Sequence, residues 1–213
     1  DFEDKQEVLY NKIKDEMQVF VQQNGEAVLD DSEACLKRLL RLVQVASNPR
    51  LVDELYGAFS AKEVKLKELI ETIINRGEKV IVWSSFIENS EYFSRMYKQY
   101  SPVKIHGRMS IEDRNKSVER FKYGDAKILF ATPQAAKEGL TLTVANNVIF
   151  YDRGFNLDDY LQAQDRIHRI SQQKTCNIYI NMTKNSEDIW VAKLFQVKQN
   201  DSILAQRDCN QES

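Results

Sequence analysis

Glycine and proline are scarce in this chain, at seven and three of 213 residues. No glycine falls in the G-x-x-x-x-G-K-[ST] or G-x-G-x-x-G spacing whose backbone N–H groups cradle nucleotide phosphates. The three cysteines, Cys35, Cys176 and Cys209, form no C-x-x-C pair. An odd, scattered set predicts reduced, buried thiols in an intracellular protein. The two histidines, His106 and His168, lie too far apart for a metal-site motif, so no metal ligand set is expected. No apolar run approaches the ~20 residues that span a bilayer, and no signal-peptide pattern opens the chain. No membrane partner is expected. Because the sequence opens on Asp1 rather than Met, it reads as a piece of something longer.

What remains is ordinary for a globular α/β chain: 42% hydrophobic and 29% charged residues. The net charge of −2 is unevenly spread. Residues 1–31 carry nine acids and three bases, leaving 27 bases against 23 acids in the rest. An acidic arm on a mildly basic body is compatible with phosphate contacts on one face.

Helical spacing runs through Val8, Leu9, Ile13, Met17 and Phe20 over about 5–23, and Asn24-Gly25 ends it. A second helix, 32–46, is opened by Ser32 and stopped by Asn48-Pro49. A third, 60–76, has Ser60 and Glu63 in capping-box spacing and Gly77 as its stop. The pattern then alternates. Short apolar runs at 79–85, 103–106, 127–132, 147–152 and 176–182 read as strands. Helices are expected between them at 88–100, from Ser110 to Phe121, at 158–170, and after Ser186 to about 199. Strands alternating with helices define an α/β fold with a parallel sheet covered on both faces. Trp83 and Phe86 are expected in the core, and the acidic arm on the surface. Three parts follow: an N-terminal helical segment (1–59), an α/β core (60–184), and a C-terminal helix with a polar tail (185–213).

In such sheets ligands bind beyond the carboxyl ends of the strands. The polar ends are Ser84-Ser85, His106-Gly107-Arg108, Thr132-Pro133-Gln134 and Asp152-Arg153. The segment QAQDRIHRISQ, 162–172, places Gln162, Arg166 and Arg169 on one helix face. Two guanidiniums aimed at one spot suit a phosphate, whose oxygens the planar fork binds with direction. Such pairs also occur on solvated, salt-bridged faces. Neither Asp-Glu pair, Asp15-Glu16 or Asp53-Glu54, follows an apolar strand, as a magnesium-holding acid would. Arginines without a phosphate cradle amount to half of a site.

These residues resemble the second RecA-like lobe of a Swi/Snf-type DNA translocase, in helicase superfamily two. QAQDRIHRISQ is similar to that family's sixth motif, with Ser171 where glycine is usual. KVIVWSSF (79–86), KIHGRMSIEDRNKSVERF (104–121), NNVIFYDRGFN (146–156) and LLRLVQVASNP (39–49) resemble further family segments. NSEDIWVAKLFQVK (185–198) resembles the helix that braces the two lobes. The segment ATPQAAKEGLTL (131–142) departs from the fifth motif: Ala136 and Lys137 replace its glycine pair and Thr141 its asparagine, whereas Gly139 keeps its place.

The resemblance implies a RecA-like P-loop-NTPase-type domain. ATP and Mg would be held mainly by a first lobe absent here. Arg169 would act as finger at the γ-phosphate with Arg166 beside it, and Asp165, Gln162 and Gly139 would serve the nucleotide side. It implies double-stranded DNA as partner, gripped without base code by Ser85, His106, Arg108, Thr132 and Gln134. It implies DNA-dependent ATPase activity in the whole protein and none in this piece alone. Two alternatives share the fold: a strand-separating DNA or RNA helicase lobe, and a catalytically inactive nucleic-acid-binding or regulatory lobe, consistent with the altered fifth motif.

Overall fold

The computed structural model describes residues 1–24, 32–138, 142–154, 160–161, 163, 174–193 and 196–197. Its centre is a five-stranded, wholly parallel sheet of β1 (Val80–Trp83), β2 (Val103–Ile105), β3 (Ile128–Ala131), β4 (Asn147–Phe150) and β5 (Asn177–Ile180). The spatial order is β2-β3-β1-β4-β5.

The apolar runs explain the layering, because successive side chains in a strand point to opposite faces. From β1, β3 and β4, Ile81, Trp83, Leu129, Ala131, Val148 and Phe150 enter one core. Val80, Val82, Ile128, Phe130 and Ile149 enter the other. Strands buried on both sides can be apolar at every position. β5 differs. It is an edge strand in which Ile178 and Ile180 stay 42% and 40% exposed, so its alternation is half-buried rather than continuous.

On one face α3 (Ala61–Asn75) contributes Leu66, Ile70 and Ile73, at i, i+4 and i+7, beside Phe93 from α4 (Ile87–Met96). On the other, α5 (Ile111–Tyr123) contributes Val118 and Phe121, with Tyr160, Ala163 and Val191. The helix expected over 88–100 stops at Met96, and a 3₁₀ turn covers Lys98–Tyr100. Ser101 then takes a left-handed conformation before β2.

The expected caps are present. Ser60 and Glu63 form a complete capping box, and Ser110 accepts from the Asp113 amide. Gly77, at φ +74°, ends α3: its N–H donates to Ile74 O and the Glu78 N–H to Ile73 O. Those two bonds make a Schellman cap, in which glycine carries no Cβ penalty.

The N-terminal segment folds onto the core rather than trailing from it. α1 (Asp4–Asn24) packs along α2 (Ser32–Ser47) through Tyr10, Ile13, Leu42, Val45 and Ala46. Gln6, fully buried, donates from Nε2 to Val45 O at 2.8 Å. Tyr10 donates to Glu187 and Tyr56 to Glu3. Burial and the Glu187 carboxylate push the Tyr10 hydroxyl well above its ordinary pKa. The acids of α1 outside this seam, among them Glu7, Asp15 and Glu16, face solvent as expected.

Two ion pairs also join the parts. Arg50, just past α2, binds both oxygens of buried Glu63 at 2.9 Å and donates to Ala58 O at 2.7 Å. Its guanidinium lies 4.9 Å from the Tyr92 ring centroid. Lys62, with a side chain only 1% exposed, sits 2.7 Å from Asp188.

Candidate functional site

Three strand ends build one cleft. β1 ends in Ser84-Ser85-Phe86, β3 in Thr132-Pro133-Gln134, and β4 in Asp152-Arg153-Gly154. Together with Leu40 and Val43 of α2, Phe150 and Tyr160, they enclose about 320 Å³. It lies beyond the carboxyl ends of adjacent strands, where open α/β sheets bind ligands.

A buried polar cluster holds its walls. Asp152 is 2% exposed. Its Oδ1 accepts from the Ser85 amide at 2.7 Å. Its Oδ2 accepts from Ser84 Oγ at 2.6 Å, Ser47 Oγ at 2.8 Å and Asn89 Nδ2 at 3.2 Å. Asn89 Oδ1 accepts from Asn48 Nδ2 at 2.8 Å, and Asn48 Oδ1 caps the 3₁₀ turn Pro49–Leu51 through the Arg50 amide. The Tyr151 hydroxyl donates to Ser47 O at 2.7 Å. Each bond to the carboxylate is charge-assisted, contributing roughly 1.5–3 kcal/mol against a lost partner.

The remaining walls are fixed separately. The Thr132 amide donates across to Ile105 O at 3.1 Å, and Thr132 O accepts from the Ala135 amide at 3.0 Å. Arg153 lies over the Tyr160 ring at 5.4 Å and reaches Met182 Sδ at 3.4 Å. A Cβ on Gly154 would come within 3.2 Å of Ser85 Oγ, so the β1 and β4 loops meet closely there. Burial raises the Tyr160 hydroxyl's pKa, against the lowering effect of the Arg153 charge.

Of the residues expected to meet nucleic acid, Ser85, Thr132 and Gln134 share this cleft. His106 and Arg108 stand outside its lining. The His106 imidazole is 3% exposed and places Nε2 2.9 Å from Glu91 Oε1. Glu91 also receives Lys104, and these bonds, Lys104 first, hold its carboxyl below the usual range. His106 thus ties the turn after β2 to α4, and solvent meets Gly107 and Arg108 instead. Arg108 pairs at 3.0 Å with Glu88 on the exposed surface.

Gln162, Asp165, Arg166 and Arg169, with Gly139 and His168, lie outside the described residues. The start of their segment is described: Tyr160 packs on Phe150 with ring centroids 4.6 Å apart, and Ala163 is buried in the same core.

The sequence pattern flagged Asp152 only as a strand end. Its partners Ser47 and Asn89 lie 105 and 63 residues away, and no local spacing joins them. The Asn-Pro stop at 48–49 was the available signal, since Asn48 both caps the turn and enters the cluster. Phe86, expected in the core, lines the cleft half-buried, whereas Trp83 is fully buried.

A parallel sheet of this order, with polar residues gathered at one end, defines a RecA-like lobe. Comparison with known proteins narrows the class. Residues 61–171 match the family described as helicase conserved C-terminal domain. The chain is 33% identical over 149 residues to the ATP-dependent helicase FUN30 of Saccharomyces cerevisiae, covering 68% of this chain and 13% of that protein. Among solved structures, the Sulfolobus solfataricus SWI2/SNF2 ATPase core domain superposes with a TM-score of 0.74 at 22% identity, over 92% of this chain and 40% of that one. The same organism's SWI2/SNF2 ATPase core in complex with dsDNA superposes at 0.68 and 23% identity, over 83% and 38%. The chain belongs to the helicase C-terminal domain family, and the two solved structures it resembles are of Swi2/Snf2 type. It spans 13%, 14% and 19% of the length of three of the curated relatives it matches.

Proposed function

We propose that this chain is the C-terminal motor lobe of an ATP-dependent double-stranded DNA translocase. One observation carries the reading: three strand ends converge on a single cleft, two of them bearing Ser85, Thr132 and Gln134. Side-chain hydroxyl and amide donors of that kind suit phosphate oxygens, which position a duplex without reading its bases. The family membership and the archaeal relative solved with dsDNA support the choice of duplex DNA as ligand.

ATP and Mg are held, in this reading, mainly by a first lobe. Arg166 and Arg169 reach the nucleotide from this side, with Gln162, Asp165 and Gly139 at the same interface. Arg169 stabilises the charge that develops on the transferred phosphoryl group, a contribution of about 10³–10⁵ in rate. ATP supplies the phosphoryl chemistry. This chain supplies cations that are competent only when the cleft between lobes closes. Opening and closing of that cleft moves the Ser85–Thr132–Gln134 face relative to the first lobe, and so moves DNA.

The test uses the full-length protein. Arg169→Ala should abolish DNA-stimulated ATP hydrolysis while duplex DNA still binds, with affinity falling steeply as salt rises. Unchanged hydrolysis removes Arg169 from its role. Robust strand displacement by the wild-type protein would favour a strand-separating helicase instead.

A further inference from the structure

We propose that Asp152 is a positioning residue for this cleft: its buried carboxylate sets the Ser84–Ser85 end of β1 in place to receive a DNA backbone phosphate. The inference rests on the function proposed above and assigns a role to a residue that makes no phosphate contact itself.

A carboxylate can only accept hydrogen bonds. The hydroxyls of Ser84 and Ser47 must therefore aim their protons at Asp152 Oδ2. Their lone pairs are left for Asn89 Nδ2, 3.0 Å from each oxygen, and in Ser84 also for the Phe86 amide at 3.3 Å. One negative charge thereby orients both hydroxyls and, through them, the Asn89 amide. The Ser85 amide is turned inward onto Oδ1. With its backbone held there, Ser85 stands in the cleft wall with its hydroxyl against Gly154.

Asp152 thus governs two of the three walls, β1 through Ser84 and Ser85, and β4 through its own loop. The third wall, Thr132 to Gln134, hangs from β2 through the Thr132 amide and is independent of it. The cluster also reaches α2 through Ser47. Loss of the carboxylate should therefore weaken the phosphate grip partially. A neutral asparagine there has one acceptor oxygen: at the Oδ1 place it leaves the two hydroxyls without a common acceptor, and at the Oδ2 place it turns an N–H₂ against the Ser85 amide.

The experiment measures DNA-stimulated ATP hydrolysis by the full-length protein as duplex DNA is titrated. Asp152→Asn should raise the DNA concentration at half-saturation about tenfold, with the maximal rate changed less than twofold. The reciprocal exchange Asp152→Asn with Asn89→Asp returns a carboxylate to the cluster and should bring half-saturation back to within about threefold of wild type. Ser84→Ala, a milder change that keeps the carboxylate, should raise it about threefold and serves if Asp152→Asn does not fold. A lowered melting temperature with unchanged half-saturation, in Asp152→Asn or in a folded Ser84→Ala, overturns the proposal and leaves Asp152 a stabilising residue alone. A wild-type protein indifferent to duplex DNA sinks the translocase reading itself, and the role of Asp152 falls with it.

Discussion

Replacing Glu63 with alanine should cost this domain more than any exposed ion pair could. Glu63 is 1% exposed at its side chain and accepts three hydrogen bonds. The Ser60 amide reaches its Oε2 at 2.7 Å, closing the capping box of α3. Arg50 Nη1 lies 2.9 Å from both carboxylate oxygens. The Arg50 side chain is 21% exposed, so its charge would be left largely desolvated. Breaking a buried pair from one side costs about 3–5 kcal/mol, whereas loss of a helix cap alone costs ~1 kcal/mol. In a domain of this size, each kcal/mol lowers Tm by about 2–4 °C, so Glu63→Ala should melt roughly 6–20 °C lower. Urea unfolding followed by tryptophan fluorescence suits the test, because Trp83 is wholly buried beside β3 and β4. Ser60→Ala is the reference for the cap alone. If the two variants lose equal stability, Arg50 contributes nothing through Glu63 and the pairing of the N-terminal segment to the core is mis-assigned.

Other perturbations have definite signs. Lys104 and His106 hold the Glu91 carboxyl below the usual carboxylate range, the bond to Lys104 being the larger cause. A group with a lowered folded pKa stabilises above its unfolded pKa and loses that contribution as pH falls through the folded one. Glu91→Gln should thus be less stable than wild type at pH 7, and urea midpoints for the two should converge below about pH 4.5. Phe93→Ala removes a ring whose centroid lies 4.7 Å from Tyr151 and 5.8 Å from Phe130, and should cost about 3–5 kcal/mol in urea unfolding. Gly124→Ala places a Cβ 2.8 Å from Arg120 O, so α5 must unwind at its end or shift, costing about 1–3 kcal/mol; no loss would show that the turn relaxes freely.

Local chemistry made much of this fold legible in the sequence. Ser60, Glu63, Ser110 and Gly77 announce helix ends because caps act within a few residues. The strands were readable because both faces of β1, β3 and β4 are buried and need no polar alternation. The strand-end rule brought Ser85, Thr132 and Gln134 into view before any contact was known. Long-range pairing was not legible. Arg50 with Glu63, Tyr10 with Glu187, and Asp152 with Ser47 join residues whose neighbours in the chain give no hint of one another. His106 looked like an exposed turn residue because His-Gly-Arg reads as a polar tip. Its burial depends on Glu91, one helix earlier.

The order of the sheet also shapes how this protein is made. β1 is its central strand and its neighbours are both later in the chain: Val80 pairs with Ile128 on one side and Asn147 on the other. At ribosomal speeds of about 5–20 residues per second, β1 waits roughly 2–10 s for its first partner. During that time Val80–Trp83, an uncharged apolar run, has both edges bare. Such a segment is an aggregation hazard until it is paired. Lys79 and Glu78 flank it on one side and the two serines on the other. Of these, the charges of Glu78 and Lys79 are the groups that oppose such pairing in a nascent strand that the finished sheet hides completely.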